Sequence, residues 1–135
     1  MNDPDQTAAL VNGGAVTFGF RAPGPYMSMN DRDHWSVKAR KVKAWRTVAA
    51  QHARQVAYFA PNPADVHFTL DVTDLRKRDP HNVFPTIKAC LDGMVDAGCW
   101  PDDDARYVTT HEPTFRVVPR GQAKCVTITL TERAA

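Results

Sequence analysis

Residues 66–72 alternate strictly, with apolar Val66, Phe68, Leu70 and Val72 separated by polar His67, Thr69 and Asp71. A period of two puts the two sets on opposite faces of a β-strand, so one face needs an apolar cover. Two helical patterns supply it, one on each side in sequence. From Ser36, the residues Val37, Val42, Trp45, Val48, Ala49, Ala53, Val56 and Ala57 recur at three- and four-residue spacing and form one stripe. Pro61 and Pro63 stop that helix, because proline lacks the amide donor and clashes with the preceding turn. After the strand, Phe84, Ile87, Leu91, Met94 and Val95 give a second helix its core face over 83–97. Asn82 is a candidate N-cap, Pro85 falls in the tolerant first turn, and Gly98 is placed to end the helix left-handed.

Three further strands are expected. Val16–Phe20 (VTFGF) alternates, Tyr107–Val118 does so with a break at Pro113, and Cys125–Thr131 closes the chain. Arg120-Gly121-Gln122 reads as a hairpin turn between the last two. The order β-α-β-α-β-β predicts a mixed α/β (α+β) fold, a single-layer mixed sheet of about four strands packed with two main helices. Residues 1–12 lack periodicity and are expected to form a flexible tail, leaving 13–135 as a single domain. A chain of 135 residues can bury one core without disulfide or metal staples. A content of 43% hydrophobic and 24% charged residues excludes wholesale disorder. No apolar run approaches the ~18 residues of a membrane span. The acidic start MNDPDQTAAL has the wrong chemistry for a signal peptide. Cys90, Cys99 and Cys125 form an odd set without C-x-x-C, which points to free thiols in a reducing compartment.

The net charge of +2 conceals a segregated map. Between His34 and Tyr58 lie Lys38, Arg40, Lys41, Lys43, Arg46 and Arg54, with no acid. Between Leu91 and Ala105 lie Asp92, Asp96, Asp102, Asp103 and Asp104, with no base. Hard divalent cations prefer carboxylates, and a nearby lysine can stabilise charge on a phosphate. Asp79 precedes the second helix, Asp102–Asp104 follow it, and Lys88 and Asp92 project together from it. That helix is about 22 Å long, so Asp79 and the triple aspartate meet only if the loop after Gly98 folds back.

The run RKRDPHN, then IKACLDGMVDAG, then WPDDD resembles the signature of the RusA family of Holliday-junction resolvases over about Arg76–Val108. In that family D-x-D-N is followed by a helical lysine and then a D-D pair. The resemblance implies a magnesium-dependent, structure-selective DNA endonuclease, with manganese a possible substitute, that resolves four-way junctions by paired nicks in recombination and repair. It implies Asp79, Lys88, Asp103 and Asp104 as catalytic residues and Asp79, His81, Asp103 and Asp104 as metal ligands, with Asn82 the motif asparagine. The D-D pair falls on Asp102-Asp103 or Asp103-Asp104, depending on the end counted from. Two departures stand: His81 replaces the second aspartate, and three extra residues separate Asn82 from Lys88. An imidazole can ligate a metal but removes one negative charge from the site.

The same resemblance gives the cations a use, with Lys38, Arg40, Lys41, Lys43, Arg46, Arg76, Lys77 and Arg78 binding DNA phosphates. Tyr26 and Trp35 stand before the first helix, where a ring can stack on an unpaired base, while Trp45 belongs to the core stripe. It further implies branched DNA and a second copy of the chain as partners, no membrane, and a cytoplasmic, possibly phage-encoded protein. Other readings are a nuclease for flaps or forks, a silent branched-DNA-binding module, and a metal-dependent hydrolase of small phosphoesters.

Overall fold

The computed structural model describes residues 10–12 and 15–133. Its elements run β1 (Leu10–Asn12), β2 (Ala15–Arg21), α1 (Trp35–Ala53), β3 (Ala64–Val72), α2 (Phe84–Asp96), β4 (Val108–Thr110), β5 (Thr114–Val117) and β6 (Cys125–Glu132). The fold is mixed α+β, one sheet with two helices. The sheet has six strands in the order β1-β2-β6-β3-β4, with β5 also paired to β3. One strand beyond the expected four is β1, which takes Leu10–Asn12 out of the expected tail; residues 1–9 of that tail lie outside the described residues. The other comes from the break at Pro113. Val66 pairs with Thr110 and Thr69 with Thr114, so three residues oppose two across the break. The extra residue accommodates a proline that has no amide for the ladder.

The alternation in sequence becomes three apolar rows across the sheet. Val16–Leu130–Val66, Phe18–Ile128–Phe68 and Phe20–Val126–Leu70 are register partners in β2, β6 and β3. All nine side chains are buried. On the other face the partners are polar, with Thr17 bonded to Thr129 and Thr69 to Thr114 through their hydroxyls. The expected hairpin at Arg120–Gln122 is corrected: a turn is present, with Gly121 at φ +86°, but the strands it joins are not neighbours. The β3 strand lies between them, because its continuous apolar face holds the centre of the sheet.

Both helices pack on the apolar face. Trp45, Ala49 and Ala53 of α1 and Ile87, Cys90, Leu91 and Met94 of α2 complete the core. Gly93 sets their approach: a Cβ there would collide with the Arg46 carbonyl oxygen and lie 2.9 Å from the Ala50 nitrogen. The expected N-cap is also corrected. Asp79, rather than Asn82, caps a short 3-10 turn over Pro80–Val83 by accepting from the His81 amide at 3.0 Å, and α2 continues from it. Gly98 ends α2 at φ +93°, as its position predicts.

One buried carboxylate has no counterpart in the sequence reading. Asp71 is 1% exposed and accepts from Arg116 Nε (2.8 Å) and Nη2 (3.1 Å) and from the Cys125 amide (3.0 Å). Arg116 can return to water and Asp71 cannot. Arg116→Ala is therefore expected to cost about 2 kcal/mol, because it leaves a desolvated carboxylate short of donors. Urea unfolding measures this, and a loss below about 0.5 kcal/mol would mean that Asp71 finds water.

Candidate functional site

The loop after Gly98 does fold back. Cys99 and Trp100 are buried, and the Trp100 indole donates to the Pro61 carbonyl at 2.8 Å, which pins the chain against the segment that leads into β3. Asp103 is thereby brought to the first half of α2. There Lys88 Nζ lies 2.6 Å from Asp103 Oδ2 and 3.0 Å from Asp92 Oδ1. The ammonium bridges the two carboxylates. Its hydrogen bond to Asp103 raises the Lys88 pKa and holds the Asp103 carboxyl below the usual range. Lys88 is half-exposed, so such a bridge contributes about 1 kcal/mol or less.

The other residues expected to join this site do not do so. Asp104 turns to Arg106, with Nη2 2.8 Å from Oδ2 and the Arg106 amide 2.9 Å from Oδ1. Asp79 is occupied by its capping bond, and His81 is the residue it caps. Asp92, which pairs with Lys88 by helix spacing alone, is the acid that joins Asp103 instead. Among the described residues no group of three or more His, Cys, Asp or Glu is arranged to hold a metal ion. The expected magnesium set Asp79, His81, Asp103 and Asp104 is therefore not gathered as one ligand cluster: Asp103 pairs with Lys88, Asp104 with Arg106, and Asp79 caps the turn that holds His81.

Arg106 holds the Asp104 carboxyl down at about 2. Arg106→Ala is expected to return it toward the ordinary ~3.9. The sign follows from the depressed value: whatever Asp104 contributes to stability is present above about pH 4 and is lost as pH falls through about 2. A carboxyl-carbon NMR titration reads both values, and an Asp104 midpoint unmoved by the substitution would break the assignment.

The cations are arranged less evenly than their count suggests. Lys41 binds Asp33 at 2.6 Å and Arg46 binds Asp96 at 2.6 Å, which ties α1 to the loop before it and to the end of α2. Arg78 binds Asp74 at 2.8 Å and lies over the Phe115 ring, while Arg76 is 3.9 Å from Asp74. Lys38, Arg40, Lys43 and Lys77 make no ion pair among the described residues. Of the aromatic candidates, Tyr26 is a fold residue: its hydroxyl donates to the Asp71 carbonyl at 2.6 Å and its ring packs on Trp45. Trp35 is 75% exposed. The three cysteines are free, and burial pushes the Cys99 thiol up to about 11 and the Cys90 thiol higher still. No helix among the described residues is long and apolar enough to cross a membrane.

No family model matches the chain. No curated protein matches it. Among solved structures, the periplasmic domain of Helicobacter pylori MotB is similar at a TM-score of 0.47 and 7% identity, over 97% of this chain and 82% of that one. The OmpA-like domain of FopA1 from Francisella tularensis subsp. tularensis SCHU S4 is similar at a TM-score of 0.40 and 13% identity, over 96% and 86%. Likenesses this distant lend the chain neither an activity nor a ligand nor a location. The findings nonetheless correct the resemblance to RusA resolvases. No nuclease family model matches the chain, and the motif acids are taken by separate partners, Asp103 by Lys88 and Asp104 by Arg106. The DNA endonuclease, its junction-resolving role in recombination and repair, the branched-DNA and homodimer partners and the cytoplasmic, phage-type setting rested on that resemblance and are withdrawn with it.

Proposed function

We propose that this chain is a binding module for an anionic ligand, taken on the N-terminal half of α1. The observation that carries this reading is the charge of that helix. None of its 19 residues is acidic, and its ion pairs to the rest of the fold use only Lys41 and Arg46 among the described residues. Lys38, Arg40 and Lys43 are left exposed to solvent, and Lys38 and Lys43 share a groove with Trp35. The helix ends support the same polarity. Lys38 and Lys41 of α1 and Pro85 of α2 line one hollow, so the positive ends of both helix dipoles lie on the same side of the molecule, although Asp31 and Asp33 also line it and Asp33 takes Lys41.

Inorganic polyphosphate is a suitable probe, because it carries closely spaced negative charge and no apolar surface. Calorimetric titration should show binding at about 50 mM NaCl and a fall of roughly thirtyfold by about 200 mM, as expected when three cations neutralise phosphates. No binding at the lower salt, or an affinity indifferent to salt, would refute the reading.

A further inference from the structure

The surface that carries these cations is not uniformly polar. Trp35, Ala39 and Val42 stand on the stripe that Trp45, Ala49 and Ala53 continue into the core; Val42 packs in part against that core, while Trp35 and Ala39 at the start of α1 are exposed. With Lys38, Lys43 and Arg46 they line a shallow groove of about 480 Å³. Ala39, one turn after Trp35 and just before Val42, leaves the hollow between two larger side chains. At 3.6 residues per turn, Lys38 and Lys43 lie about 140° apart around the helix, with Trp35, Ala39, Val42 and Arg46 between them. The groove therefore has an apolar floor and a cation on each flank. Arg46 adds a third that its bond to Asp96 holds in place.

Taking α1 as the anionic-ligand site, we infer that the ligand is an acidic amphipathic segment of a partner protein, docked as a helix in this groove. Such a segment covers Trp35 and Val42 with its apolar stripe while its carboxylates meet Lys38 and Lys43. A phosphate polymer satisfies the cations but leaves the indole in water. A lipid surface asks for a longer apolar face than the three residues here, on a helix free to lie flat. The α1 helix is fixed by its packing against α2.

The test compares probes on the whole chain. One is a fluorescein-labelled 14-residue peptide with leucines at helical spacing and glutamates elsewhere; a second has the leucines replaced by serine at the same charge. The third and fourth are polyphosphate and phosphatidylglycerol vesicles. The leucine peptide is expected to bind at least about tenfold more tightly than the serine peptide. Trp35→Ala, at a site too exposed to unsettle the fold, should abolish that advantage and leave polyphosphate affinity within about twofold. Equal binding of the two peptides overturns this inference, while polyphosphate binding would still uphold the anionic site. If neither peptide nor polyphosphate binds, the reading of α1 falls as well. Vesicle binding that Trp35→Ala removes, without any peptide preference, makes the occupant a lipid surface and overturns the inference. A dimer in sedimentation that Trp35→Ala dissociates makes it a second copy, with the same consequence.

Discussion

Gly93→Ala is expected to lower the unfolding free energy by about 3 kcal/mol, near the upper end for an overpacked core position. The added methyl group would meet backbone on the facing helix, the Arg46 carbonyl oxygen and the Ala50 nitrogen, and neither is the movable end of a side chain. The Ala49 methyl closes the same space from 3.1 Å. Only a separation of α1 from α2 makes room, and that opens the core between the two helices. The gain in helix propensity on replacing glycine, about 1 kcal/mol, does not offset this. Urea unfolding should give a lower midpoint at unchanged slope. Gly24→Ala is the control, because nothing lies within 4 Å of a Cβ at that position. A Gly93→Ala loss below about 1 kcal/mol would mean that the helices do not cross there.

The second large effect concerns binding. Reversing both flanks of the groove, Lys38→Glu with Lys43→Glu, changes the local charge by four units and turns two attractions into repulsions. Polyphosphate affinity at low salt should fall by about a hundredfold or more. Both side chains are exposed and neither makes an ion pair among the described residues, so the melting temperature should move little. Arg120→Glu with Lys124→Glu, in the segment between β5 and β6, makes the same four-unit change away from α1 and should cost no more than about threefold. Equal losses from the two changes would show that net charge, and not this helix, governs binding.

Much of the fold is legible in the sequence, for reasons that can be named residue by residue. The alternation over Val66–Val72 and the stripes through Ala53 and Met94 depend on local periodicity and recur in the structure, although α1 ends at Ala53 and Val56 and Ala57, expected in its stripe, fall in the turns that follow. Pro113 and Gly98 act through their own backbones and are equally readable. Strand order is different. Nothing local tells Cys125–Glu132 to pair with β2 and β3 instead of β5; that choice follows from which apolar faces fit together across the sheet. The Asp71–Arg116 bond spans 45 positions and escapes any short-range pattern.

The candidate site divides in the same way. Lys88 and Asp92 share a helix face, so their pairing could be read from a spacing of four. The arrival of Asp103 depends on the tertiary anchor of Trp100 at Pro61, which no spacing reveals. A motif read along the chain treats Asp79, Lys88, Asp103 and Asp104 as one set. In space they divide among a turn cap, an ammonium bridge and an arginine pair. The charge on α1 fared better, because the absence of acids over 19 residues is a property of composition that folding cannot undo, although Lys41 and Arg46 turned out to serve the fold.

The most direct test of the account is a nitrogen-15 NMR titration of the chain with inorganic polyphosphate at about 50 mM NaCl. The account predicts that the amides of residues 36–46 move together and saturate, while Lys88, Asp92 and Asp103 stay in place. Shifts centred on Lys88 and the Asp102–Asp104 loop, with α1 unmoved, would contradict it.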